Sequence, residues 1–137
     1  MAERMNVILA IRALCELCAL HTEDRTTLDE IVLMSLDRSR WSAAHDLFQR
    51  IRAKNLRASR RGDARLEAQY CFEEACAKSL YNLSRAPAPF DADAPYWIIP
   101  NAISFARQVG LNDADIVHVI AADNRVEFAH AVPDLHR

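Results

Sequence analysis

Apolar residues recur along this chain at three- and four-residue steps, the period of α-helices. Over residues 3–21, Met5, Ile8, Leu9, Ile11, Cys15, Leu17 and Cys18 form a stripe so broad that the segment is apolar almost all round, as a central helix would be. Residues 22–25 break it with polar side chains. Thr27-Leu28-Asp29-Glu30 then matches the capping box, in which the threonine hydroxyl and the glutamate each satisfy an orphan backbone donor. A short helix through about Leu36 is predicted, burying Leu28, Ile31, Val32 and either Met34 or Leu36.

The next segment, about 39–59, is strongly amphipathic, with Trp41, Ala44, Leu47, Phe48, Ile51 and Leu56 read as its inner face. Gly62 is a natural stop and Asp63 a natural N-cap. The helix this predicts over about 64–84 carries Leu66, Phe72, Cys76, Leu80 and Leu83 inward, with Glu67, Glu73, Glu74 and Lys78 outward. Pro87 and Pro89 enforce an extended stretch after it. Residues 91–100 read as a loop holding the apolar cluster Tyr96-Trp97-Ile98-Ile99, with a helix beginning near Pro100 and stopping at Gly110. Asn112 caps one more helix, with Leu111 and Ile116 as its hydrophobic staple. The pattern weakens beyond Ala122.

The expected fold is therefore all-α: a single-domain bundle of about five to six helices, not a regular up-down coiled coil. A flexible loop at about 85–96 and a C-terminal tail at about 124–137 are expected with it. Composition agrees. Half of the 137 residues are apolar, aromatics are sparse, and there are only two glycines, too few for the tight turns of a β-rich fold. No apolar run is long enough to span a bilayer, and Arg12 interrupts the N-terminal one without a small-residue cleavage site after it. A cytoplasmic protein with reduced thiols is the expectation. The preference for arginine over lysine suggests a GC-rich bacterial genome.

Several chemistries are excluded by motif. Gly62 and Gly110 lie too far apart for a P-loop or a Gly-x-Gly-x-x-Gly cradle, and there is neither a Gly-x-Ser-x-Gly elbow nor a His-Glu-x-x-His. Four cysteines, Cys15, Cys18, Cys71 and Cys76, supply enough thiolates for a tetrahedral zinc, with His21 one turn beyond the first pair. Against that, cysteine behaves as a small hydrophobe, and Cys71 and Cys76 point about 140° apart on a helix. Asp115 with His118, and Glu127 with His130, have the carboxylate-x-x-His spacing of di-iron bundles, to which Glu73 or Glu74 would have to contribute. Buried thiols and solvated helix faces account for both sets, so no metal, cofactor or catalytic residue is assigned. Residues 105–119 have helix-turn-helix spacing, yet the second helix offers Asp113 and Asp115 where a DNA reader needs cations.

Charge is the most uneven feature. Arg50, Arg52, Lys54, Arg57, Arg60, Arg61 and Arg65 face only Asp63 in that window, a local balance of +6 in a chain whose net charge is −2, leaving −8 elsewhere. Three readings fit: a solvated face paired with acidic neighbours, a docking patch for an acidic protein, or a nucleic-acid backbone contact. Tyr96 and Trp97 add either an aromatic partner-binding knob or a lid over the bundle. The functional expectation is a non-enzymatic protein-interaction module (an adaptor, an immunity or inhibitor-type protein, or an assembly subunit) that binds another protein or itself. The alternative is a nucleic-acid-associated protein using the same arginines, and a third is a Cys/His metal-binding protein.

Overall fold

In the computed structural model, residues 2–85 and 94–115 are described. Their elements, in order, are α1 (Ala2–Ala19), α2 (Thr26–Ser35), a 3-10 helix (Arg38–Ala43), α3 (Ala44–Arg60), α4 (Ala64–Arg85) and α5 (Ala94–Gln108). No strand occurs among the described residues, and the fold is the all-α bundle expected from the periodicity. No helix among them is long and apolar enough to cross a membrane. Residues 86–93, with Pro87 and Pro89, and residues 116–137, with the expected tail, lie outside the described residues.

The hub is α4, not α1. It alone packs against α1, α2, the 3-10 helix, α3 and α5. It is correspondingly buried on more than one side, through Tyr70, Phe72, Ala75, Cys76, Ala77, Leu80 and Leu83. The same core takes Ile11, Leu14, Cys15 and Cys18 from α1, Leu28, Ile31 and Met34 from α2, and Leu47, Ile51 and Ala58 from α3. α5, packed on both α4 and α1, contributes Ile98, Ile99, Ala102, Phe105 and Ala106. Between Met34 and Leu36 the core takes Met34, and Leu36 faces water.

Both glycines end helices in the same way. Gly62 has φ +69° and Gly110 φ +85°, the left-handed region that costs other residues a Cβ clash. In each case the residue after the glycine donates back across the last turn, Asp63 N to the Ala58 carbonyl at 3.0 Å and Leu111 N to the Ala106 carbonyl at 2.9 Å. The glycines themselves donate to Ser59 and Arg107, completing Schellman motifs that satisfy otherwise orphan carbonyls. Asp63 then caps α4, its carboxylate accepting from Leu66 N at 3.1 Å. Asn112 and Asp115 exchange reciprocal bonds of 3.0 Å, side chain to backbone N–H, so the predicted Asn112 cap is a full capping box.

Other boundaries moved. The predicted helix 39–59 is split, because Asp37 caps the chain early by accepting from Ser39 N and its hydroxyl, and the resulting tight 3-10 turns aim Trp41 into the core. α5 begins at Ala94, so Pro100 sits inside the helix and not in its first turn. There its ring nitrogen cannot donate to the residue 96 carbonyl, one backbone bond the helix forgoes.

The Thr27 capping box does not form. Arg25 is the N-cap residue of α2 and offers no side-chain bond, while Thr27 is already inside the helix and buried. Both members of the expected box are spent on tertiary contacts: Thr27 bonds Glu73 of α4, and Glu30 pairs with Arg50 of α3.

Replacing Gly62 with alanine forces a Cβ into the left-handed region although no neighbour lies within 4 Å. The cost is expected to be about 1 kcal/mol, read as a lower urea midpoint at unchanged slope, with Gly62→Asn losing less.

Candidate functional site

The seven cations of residues 50–65 do not act as one patch. Arg50 is committed to Glu30 of α2 by two bonds of 2.8 and 2.7 Å, and those bonds hold the Glu30 carboxyl below its usual range. Lys54 turns inward, 2.9 Å from Asp24 and 5.4 Å from the centre of the Tyr70 ring. Arg65 donates to the His21 carbonyl, tying the start of α4 to the turn after α1. Arg52, Arg57, Arg60 and Arg61 remain exposed, with no ion pair among the described residues. Arg52, Arg57 and Arg60 lie on the solvent side of α3, whose buried face is Ala44, Leu47, Ile51 and Ala58, and Arg61 caps its C-terminal end.

Leu56 belongs with these arginines and not with the core. It is 53 % exposed, because the step from Ile51 is five residues and carries it round the helix, and Ala58 takes the inner place instead. The outward face and C-terminal end of α3 thus present four guanidinium groups, unpaired among the described residues, around an exposed leucine. Tyr96 and Trp97 have their backbones in α5, while their side chains lie outside the described residues.

A second polar constellation, unsuspected in the sequence, lies beneath the 20–26 connection. Glu73 is fully buried, 0 % exposed, although its charge suggested an outward position. Its carboxyl is bonded by Thr27 Oγ1 from α2 and by Gln69 Nε2 at 2.8 Å from one turn earlier in α4. Gln69, also fully buried, passes the chain on: the same nitrogen donates to the Asp24 carbonyl at 2.8 Å, and its oxygen accepts from the Thr22 hydroxyl at 2.6 Å. Asp24 in turn takes bonds from Tyr70 and Lys54, which outweigh its partial desolvation and hold it below the usual carboxylate range. For Glu73 the balance runs the other way. Desolvation dominates and pushes it up to about 7, the Thr27 and Gln69 bonds pulling back only in part.

Three of the four cysteines also converge here. Cys15 and Cys18 of α1 lie close enough to Cys76 of α4 for their thiols to influence one another, and all three are within the field of Glu73. Burial raises their thiols above the ordinary value, which keeps them protonated and unreactive. Cys71 is exposed on another face of α4, beside Asn55 at 3.4 Å. The four sulfurs therefore do not assemble, as their angular spacing implied, and among the described residues no three His, Cys, Asp or Glu side chains are grouped to hold a metal ion.

The remaining motifs are absorbed by structure. Glu74 accepts from Asn55 rather than joining Glu73, and Asp115 serves as a cap; His118, Glu127 and His130 lie outside the described residues. In the helix-turn-helix-like segment, Arg107 clasps Asp113 with bonds of 3.1 and 2.6 Å, so its one described cation is already used. Set against models of known protein families, curated proteins and solved structures, the chain matches none.

Thiol titration of the native protein should therefore show one fast-reacting cysteine, lost in Cys71→Ser, and four after denaturation. Rapid labelling of Cys15, Cys18 or Cys76 in native buffer would contradict the burial of the cluster.

Proposed function

We propose that this chain is a non-enzymatic protein-interaction module that docks an acidic surface of another protein on the outward face of α3. The observation that carries the reading is the set of Arg52, Arg57, Arg60 and Arg61, without ion pairs among the described residues, around exposed Leu56. Arginine and an apolar centre are what protein interfaces enrich, and rim charges of one sign steer a partner of the other. A patch intended only for solubility would have no need to leave four like charges together on α3 and its C-terminal end while neighbouring cations are paired. The titratable groups with shifted acidity that are most buried, Glu73 and the Cys15, Cys18 and Cys76 thiols, are closed to solvent, which disfavours chemistry on a substrate there.

The test is capture of partners from nuclease-treated extract, quantified for wild type against Arg57→Glu/Arg60→Glu/Arg61→Glu. Reversal should lower capture at least about tenfold, since three like-charge contacts replace three favourable ones. Unchanged capture removes the α3 face from the reading. Capture that vanishes on nuclease treatment, together with heparin retention falling steeply with salt, transfers the same arginines to a nucleic-acid backbone.

A further inference from the structure

We propose that Glu73 is a proton-operated latch: neutral, it clamps residues 22–27 and the start of α2 onto α4, and ionised, it lets that clamp go. The geometry is that of a device able to exist in two charge states. Both carboxyl oxygens are engaged, one by Thr27 Oγ1 and one by Gln69 Nε2. Gln69 Nε2 is only a donor, so its oxygen on Glu73 must accept in either state. Thr27 carries a hydroxyl, which both donates and accepts. With Glu73 neutral, the carboxyl O–H donates to Thr27 Oγ1; with Glu73 ionised, the threonine hydroxyl reverses and donates to the carboxylate. The proton can therefore leave before any side chain moves, and what loosens the clamp afterwards is the buried charge left behind, not a lost donor.

The two states differ in what surrounds the charge. From α1 the groups facing Glu73 are the Cys15 and Cys18 thiols; from α4 they are Cys76 and Tyr70. From the connection comes the anion Asp24, which opposes ionisation, and from α3 the cation Lys54, which favours it but is already bound to Asp24. The face of α5 toward α4 is apolar. An ionised Glu73 is thus a buried anion with two neutral donors and no cation of its own, a costly arrangement that is relieved by admitting water.

The nearest solvent lies one layer out, beyond buried Gln69. Thr22 and Asp24 line an open polar cleft of 670 Å³ with His21, Asp63 and Arg65, and Thr22 reaches Glu73 through Gln69. Opening the cleft inward separates residues 22–27 from Gln69 and unseats the N-terminus of α2. Burial sets the sign of the effect. Glu73 is raised from the usual 4.5 to about 7, so the folded chain holds this proton more tightly than the unfolded one. Its contribution to stability is present in full below about 4.5 and is lost as pH rises through about 7.

The deciding measurement is a carbon-detected NMR titration of the Glu73 carboxyl in the unmodified protein, joined to amide hydrogen exchange of residues 22–28. A carboxyl midpoint near 7 is expected; a midpoint in the ordinary glutamate range overturns the latch. Exchange, corrected for its intrinsic pH dependence, should rise at least about fivefold between pH 6 and 8 in wild type and stay level in Glu73→Gln. An equal rise in both would assign the loosening to another group and overturn the proposal. Should Glu73→Gln fail to fold, Thr27→Val removes the reversible hydroxyl alone. It should move the Glu73 midpoint upward, and an unmoved midpoint would sever Thr27 from the device. None of these outcomes depends on whether the α3 arginines bind a partner.

Discussion

The structure depends on the requirement that α4 be buried on more than one side while still carrying polar residues inward. A helix packed against every other element has little face left for water, so Gln69 and Glu73 must find partners within the protein or lose several kcal/mol of hydration each. They find them in the 20–26 connection and in Thr27, and that choice settles much else. It draws Thr27 off the cap of α2, seats Asp24 where Lys54 and Tyr70 can reach it, and fixes the turn that brings α1 against α2. Partners that are all satisfied make such a network specific; one missing member makes it a liability.

The same economy sorts the basic segment. Cations near the acidic elements are taken up by the fold, Lys54 by Asp24 in a partly buried pair and Arg50 by Glu30 in an exposed two-bond clasp, where burial or bidentate geometry makes a pair worth more than a single surface contact. Those on the opposite face of α3 make no ion pair among the described residues, and the leucine among them is turned away from the core. A surface of unspent charge and unspent apolar area is what remains once folding has taken what it can use, and it is what a partner has to work with.

The buried carboxyl and the exposed arginines are mirror cases of one cost. Burial makes ionisation of Glu73 expensive and its proton exchange a matter near neutral pH. Exposure makes the charge of Arg57 or Arg60 inexpensive to keep and available to others. Lys54 stands between, on the helix that bears the arginines but bonded into the network that ends at Glu73.

What the sequence alone determined is local. Helix period, the two glycine stops with Asp63 and Asn112 as the following caps, and the divergence of Cys71 from Cys76 all follow from spacings within a few residues, where backbone geometry leaves little choice. What only the tertiary structure decided is which face of each helix meets which neighbour. Leu56 and Glu73 both stood against their expected sides, because an apolar residue is placed by its register on the helix and an acidic one by whether partners 46 residues away in the chain are waiting for it. The capping motif at Thr27-Leu28-Asp29-Glu30 failed for that reason too: a local hydrogen bond available to water-exposed groups yields to a buried one that the fold cannot leave unmade.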